Sequence, residues 1–127
     1  MLASTSGGGA LSAQDAAALQ EGIGLVFGLW TALQMAVENQ WGGRDSRAKA
    51  DQFAASILSW FSNSKGPFYF DDLENMMHDT ISESFSADFE DDSEVAEQLL
   101  IMHEECLQSN YSSIEMLRNA HVQGNAA

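Results

Sequence analysis

Gly22–Gly43, GIGLVFGLWTALQMAVENQWGG, decides the fold. From Gly22 to Val37 it carries no charge. A membrane-spanning helix needs roughly 20 predominantly apolar residues, and this run is about a turn short and holds Thr31 and Gln34. No basic segment precedes it, which argues against a secretory signal. The run reads instead as a central helix, buried on nearly all sides of a bundle. Glu38, Asn39 and Gln40 turn it polar, and Trp41-Gly42-Gly43 stop it. Gly42 is expected to take the left-handed conformation that ends many helices, with Gly43 letting the chain turn and Trp41 plugging the end.

Working outward, Ser12 with Asp15 three residues on forms a capping-box-like start, so one long first helix is expected from there to about Gln40. Gly22, Gly24 and Gly28 loosen it, and the spacing of Gly24 and Gly28 would let another backbone pack closely. Asp45 or Ser46 caps a second helix with Phe53, Ile57, Trp60 and Phe61 on one stripe, ending at the loop SNSKGP. Asp71 with Glu74 caps a third, with Leu73, Met76, Met77, Thr80 and Ile81 inward. At 100° per residue, Asp72, Asp79 and Glu83 fall within about 40° of each other on its outer side. The linker SADFEDDS leads to a fourth helix whose Val95, Leu99, Met102 and Cys106 face the core, and Ser112 opens a short fifth. The single proline and the absence of alternating strand patterns agree with an all-α domain of about five helices. Its expected limits are residues 12–123, after a flexible leader at 1–11 and before a disordered end at 124–127.

The net charge of −14 is concentrated in one half. Between Gly66 and Leu117 stand fourteen acidic residues and no Lys or Arg, while the rest of the chain holds five of each sign. Helix faces that merely meet solvent usually mix signs, because opposite charges at i, i+4 attract. A one-signed field repels nucleic acid and anionic lipid and attracts basic proteins. The densest part is Asp88, Glu90, Asp91, Asp92 and Glu94, with Glu97 one turn on. Asp91 and Asp92 also sit where a helix N-terminus favours negative charge. On the fourth helix Ile101 falls among Glu94, Glu97, Glu104 and Glu105, the position of an apolar anchor inside an acidic surface.

Chemistry-bearing patterns are missing. A Glu-x-x-His di-iron motif fails because Asn75 and Leu100 stand three before His78 and His103. His103 and Cys106 share a face, but two ligands do not make a zinc site. A calcium loop counted from Asp88 has Ser93 where glycine is needed and Leu99 where a bidentate Glu belongs. There is no P-loop, nucleophile elbow or dinucleotide fingerprint. The lone Cys106 rules out a disulfide within the chain and suits a reducing compartment. The expectation is a protein without cofactor, metal or catalytic residues.

The run Leu33 to Asn39 followed by Trp41-Gly42-Gly43 closely resembles the signature of the WGG-domain pre-rRNA-processing family. The aromatic second helix, Asp72-Leu73-Glu74 and SFSADFEDDSEVAEQLL are similar in order and spacing, so the likeness runs from about Leu19 to His121. Family members tend to continue into an acidic tail that this sequence lacks. The resemblance implies a helical, non-enzymatic escort chaperone, acting in the nucleus and to some extent the cytoplasm. Its client would be one basic small-subunit ribosomal protein, number twenty-six of the eukaryotic set, taken from an import receptor and passed to the maturing subunit. A monomer binding one client, without direct contact to nucleic acid or membrane, is expected. The partner-facing residues would be Asp72, Asp79, Glu83, Asp88, Glu90, Asp91, Asp92, Glu94, Glu97, Ile101, Glu104 and Glu105. Glu38, Asn39, Trp41, Gly42 and Gly43 would be mainly structural. An acidic module for another basic nuclear protein, such as histones, is the alternative.

Overall fold

The computed structural model describes residues 11–63, 68–87, 89 and 91–126, with side chains as far as Ala120. The expected leader up to Ala10 and the last four residues of the SNSKGP loop, 64–67, lie outside the described residues. The fold is all-α, with six helices among the described residues: α1 Ala13–Leu29, α2 Thr31–Glu38, α3 Ser46–Asn63, α4 Phe70–Phe85, α5 Asp92–Leu107 and α6 Ser112–Ala126.

The sixth helix comes from a break in the expected long first one. Trp30 leaves helical geometry (φ −82°, ψ 98°), and α1 and α2 meet at a bend of 72°. The break does not orphan the α1 terminus: Phe27 O accepts from Trp30 N at 3.3 Å and from Gln34 Nε2 at 2.8 Å. The bend lets α1 pack on α3, α5 and α6 while α2 folds back over α3. An amphipathic repeat cannot reveal such a break, because Leu19, Ile23, Val26, Trp30 and Leu33 keep helical spacing and are all buried. Among the described residues no single helix is long and apolar enough to cross a membrane.

The other helices follow their patterns. Ser12 caps α1 by accepting from Asp15 N at 3.0 Å. α4 starts at Phe70, just before the expected cap, leaving Asp71 and Asp72 in its first turn. α6 is longer than expected, and the disordered end foreseen at 124–127 is a continuing helix as far as Ala126. Gly24 does not receive another backbone here; a Cβ on it would meet nothing within 4 Å. The close approach is at Gly22, where a Cβ would stand 2.4 Å from Met102 Sδ of α5.

Three polar side chains are buried among the described residues: Asp15, Ser46 and His103. The Asp15 carboxylate accepts from Tyr111 Oη at 2.6 Å and Ser109 Oγ at 3.0 Å, tying the start of α1 to the α5–α6 turn. The tyrosine hydrogen bond holds its carboxyl below the ordinary range. His103, 2% exposed, stacks on Phe61 at 4.3 Å and meets Phe68 edge-on at 4.7 Å. Its Nε2 has no hydrogen-bond partner among the described residues. Cys106 is buried one turn later, and burial, with the charges of Asp15 and Glu105, pushes its thiol up to about 11, leaving an inert core group.

Burial lowers the His103 pKa to about 4, so the folded protein keeps the ring neutral where the unfolded chain, with the ordinary value of 6.5, takes up a proton. Stability is therefore fully present above about pH 6.5 and falls as pH drops toward about 4, by roughly 2–3 kcal/mol from this group. His103→Phe is expected to remove that slope. Urea unfolding of both proteins between pH 7 and pH 4 checks it, and parallel pH profiles would refute it.

Candidate functional site at the WGG turn and the acidic linker

The two segments that carry the family likeness meet in space. At the end of α2, Asn39 is the C-cap and Gln40, not Gly42, takes the left-handed conformation (φ 54°). Gln40 N donates to Val37 O at 3.2 Å and Trp41 N to Ala36 O at 3.0 Å, the paired bonds of a Schellman turn. Gly43 supplies a second positive φ of 93°. The turn is fastened to α3: Ser46 Oγ accepts from Gly42 N at 2.9 Å and donates to Gly43 O at 2.7 Å, and Lys49 Nζ donates to Gly42 O at 2.6 Å. Gly42 is required for a different reason than expected. A Cβ there would stand 2.4 Å from the Ser84 carbonyl oxygen, so the glycine lets the turn press onto the end of α4.

The linker beyond α4 is anchored. Phe89 is buried, with its ring 5.4 Å from Trp30, 6.4 Å from Phe85 and 6.5 Å from Trp41. Asp91 Oδ1 accepts from the Trp30 indole at 2.8 Å. Trp30 also packs on Phe27 and Phe53, so one aromatic cluster joins the α1–α2 bend, α3 and the acidic linker.

The expected partner-facing residues separate into three groups. Asp72, Asp79 and Glu83 on α4, and Glu94, Glu97, Ile101 and Glu104 on α5, are exposed. Ile101 is 46% exposed and thus lies outside the core. Asp91, Asp92 and Glu105 are half-buried and committed internally. Asp91 holds the indole, Asp92 lies 3.6 Å from His78 Nδ1, and Glu105 accepts from Ser113 N in the first turn of α6 at 3.2 Å. Asp91 makes no capping hydrogen bond to α5, the role its position suggested. Asp88 and Glu90 lie outside the described residues. Within the WGG motif Glu38 and Asn39 are exposed, and Trp41 is 45% exposed where a plug would be covered.

Sequence reading missed Phe89 and Lys49, and took Ser46 as a possible helix cap where it fastens the turn. Phe89 left a signal, a lone aromatic residue among acids. Ser46 and Lys49 left none, because their role depends on where the turn folds back. Among the described residues no group of three His, Cys, Asp or Glu side chains is placed to hold a metal ion.

Two pairs of variants test this geometry. Gly42→Ala is expected to cost about 1–3 kcal/mol through the clash with Ser84, whereas Gln40→Gly should stabilise by about 0.5–1 kcal/mol by relieving a left-handed non-glycine. Thermal unfolding checks both, and a Gly42→Ala protein as stable as the parent would refute the close approach. Asp91→Lys is expected to cost about 2 kcal/mol or more by orphaning the Trp30 indole, and Glu97→Lys less than about 0.5 kcal/mol. Equal melting temperatures for these two would place Asp91 on the surface.

Comparison with known proteins agrees with these segments. The family model for WGG, described as Pre-rRNA-processing protein TSR2, matches residues 19–97. The Saccharomyces cerevisiae protein of that name is 34% identical over 98 residues, covering 76% of this chain and 47% of the yeast protein. The human TSR2 homolog is 32% identical over 94 residues, 72% of this chain and 49% of its own length. The Xenopus laevis homolog is 30% identical over 98 residues, covering 76% and 51%. The chain thus spans about half the length of the curated relatives it matches. A solution structure of yeast TSR2(1-152) superposes with a TM-score of 0.73 at 29% identity, covering 86% of this chain and 70% of that one. The chain belongs to the WGG family of TSR2-type pre-rRNA-processing proteins.

Proposed function

We propose that this protein is an escort chaperone in ribosome biogenesis. It binds a basic small-subunit ribosomal protein, number twenty-six of the eukaryotic set, receives it from its import receptor and delivers it to pre-ribosomes in the nucleus. It acts as a monomer with one client and supports small-subunit rRNA processing without cutting RNA. Membership in a pre-rRNA-processing family supports the setting. The observation that carries the mechanism is the one-signed surface: Asp72, Asp79, Glu83, Glu94, Glu97 and Glu104 are exposed on α4 and α5, in a stretch without a single Lys or Arg. The ion pairs of Arg47 with Asp51, Lys49 with Asp45 and Arg118 with Glu21 all lie outside that stretch.

Such a surface stands in for the polyanionic RNA that a ribosomal protein eventually binds. Its long-range field speeds encounter with a cationic client, and salt screens it over about 8–10 Å. Ile101, apolar and half-exposed between Glu97 and Glu104, adds a short-range contact within the acidic face. A protein that holds its client mainly by charge can release it to a denser polyanion, which suits delivery to RNA.

Co-expression with the candidate ribosomal protein, followed by size-exclusion chromatography, tests the reading. The parent is expected to co-elute with it, and replacing Glu94, Glu97 and Glu104 with Lys should abolish co-elution while leaving the helical spectrum intact. Asp91 is left untouched because its carboxylate belongs to the fold. Binding that survives the triple reversal, or that is equal at low and high salt, would refute the assignment. Capture of core histones in place of the ribosomal protein would favour the histone alternative.

A further inference from the structure

Trp41 borders a shallow apolar hollow formed with Phe85, Ser86 and Ala87. It is 45% exposed, whereas Trp30, in the same aromatic cluster, is 4% exposed. The hollow lies at the C-terminal ends of two helices: α2 ends at Glu38, three residues before Trp41, and α4 ends at Phe85. Each helix end carries the negative pole of a backbone dipole, which a basic residue in the last turn ordinarily offsets. Neither helix has a basic residue in its last turn. Both have an acid there instead, Glu38 and Glu83, each exposed. Of the cations that follow Trp41, Lys49 is engaged by Gly42 O at 2.6 Å and Asp45 at 3.7 Å, Arg47 lies 3.9 Å from Asp51, and Arg44 is exposed. Two helix ends and two exposed carboxylates thus stand on the elements that bring Trp41 and the hollow together, with Arg44 on the turn beyond.

We propose that Trp41 is the anchor for a cationic side chain of the basic client, an arginine or lysine whose methylene stem lies on Phe85 and Ala87 and whose charge lies over the indole. This deepens the escort reading above and rests on it. Tryptophan offers the strongest aromatic face for a cation, and a long basic side chain supplies the apolar stem that the hollow matches. The arrangement also gives the exposure of Trp41 a role: covering it would close the site. The acidic face of α4 and α5 attracts the client from a distance, while Trp41 fixes one residue of it in register.

Hexa-arginine peptide is the probe, titrated by calorimetry into the full chain and into Trp41→Leu and Trp41→Phe. Trp41→Leu keeps an apolar residue and removes no charge. It is expected to bind roughly five- to tenfold more weakly with an unchanged salt dependence, and Trp41→Phe to lie between it and the parent. Equal affinity of Trp41→Leu and the parent overturns the proposal. In the unmodified protein, the peptide should shift the indole N–H resonance of Trp41 and leave that of buried Trp30 in place. An unmoved Trp41 resonance at saturation likewise overturns it, and this reading does not depend on how the variants fold. If Trp41→Leu binds normally while the triple lysine variant still loses the ribosomal protein, the anchor fails and the escort reading stands. If the ribosomal protein never co-elutes while hexa-arginine binds through Trp41, the escort reading fails and a cation site remains.

Discussion

The hydrogen bond from the Trp30 indole to Asp91, with the rings packed around it, is the constraint on which the site depends. It connects residues 61 positions apart. On one side it occupies Trp30 at the break between α1 and α2, the bend that sends α2 back over α3. On the other it fixes the end of a linker that charge repulsion alone would splay. Phe89 adds the apolar half of the same clamp. A carboxylate that accepts from a partly buried indole is worth more than one on the surface, and removing it leaves a donor without a partner. Asp91 thus belongs to the fold although it stands in the densest run of acid in the chain.

The two proposed sites, at Trp41 and on the carboxylate face, share one design. Helix ends, backbone carbonyls and carboxylates point the same sign of charge outward, while the apolar contacts that stabilise the domain stay beneath. Fixed surface charges of one sign cost stability by mutual repulsion. The protein answers that cost on the inside, with an almost unbroken apolar core and with buried polar groups tied to partners, as Asp15 is to Tyr111 and Ser109. His103 is the exception, stacked on Phe61 with Nε2 unpaired among the described residues.

Most of the architecture was legible in the sequence. Leu73, Met77 and Ile81, or Leu99, Met102 and Cys106, recur at helical spacing, and that period alone puts them inside. The all-α class and the exposure of Asp72, Asp79 and Glu83 followed from the same geometry. The bend at Trp30 was not legible, because a break that preserves the phase of the buried face leaves the pattern unchanged. Gly42 was recognised as necessary for the wrong physical reason. Sequence suggested backbone torsion, while the requirement is the approach of Ser84, a contact between residues 42 positions apart that no local pattern encodes. For the same reason the run of acids could not be divided into working and structural members. Asp91 and Glu97 look alike until Trp30 is placed beside one of them.

The pairing of α1 with α6 has a consequence for how the protein is made. Asp15 bonds to Tyr111, and Glu21 receives a two-pronged contact from Arg118 at 2.8 and 2.9 Å. The first helix is completed by the last, so on the ribosome the uncharged stretch from Gly22 to Val37 emerges early and stays without its full cover until the closing helix follows. Closing so long a loop is slow in comparison with forming the helices themselves. During that interval the apolar segment is open to premature association, and the one-signed acidic stretch that emerges next makes neighbouring chains repel one another. The charge exposed on α4 and α5 of the finished molecule thereby also serves the unfinished one.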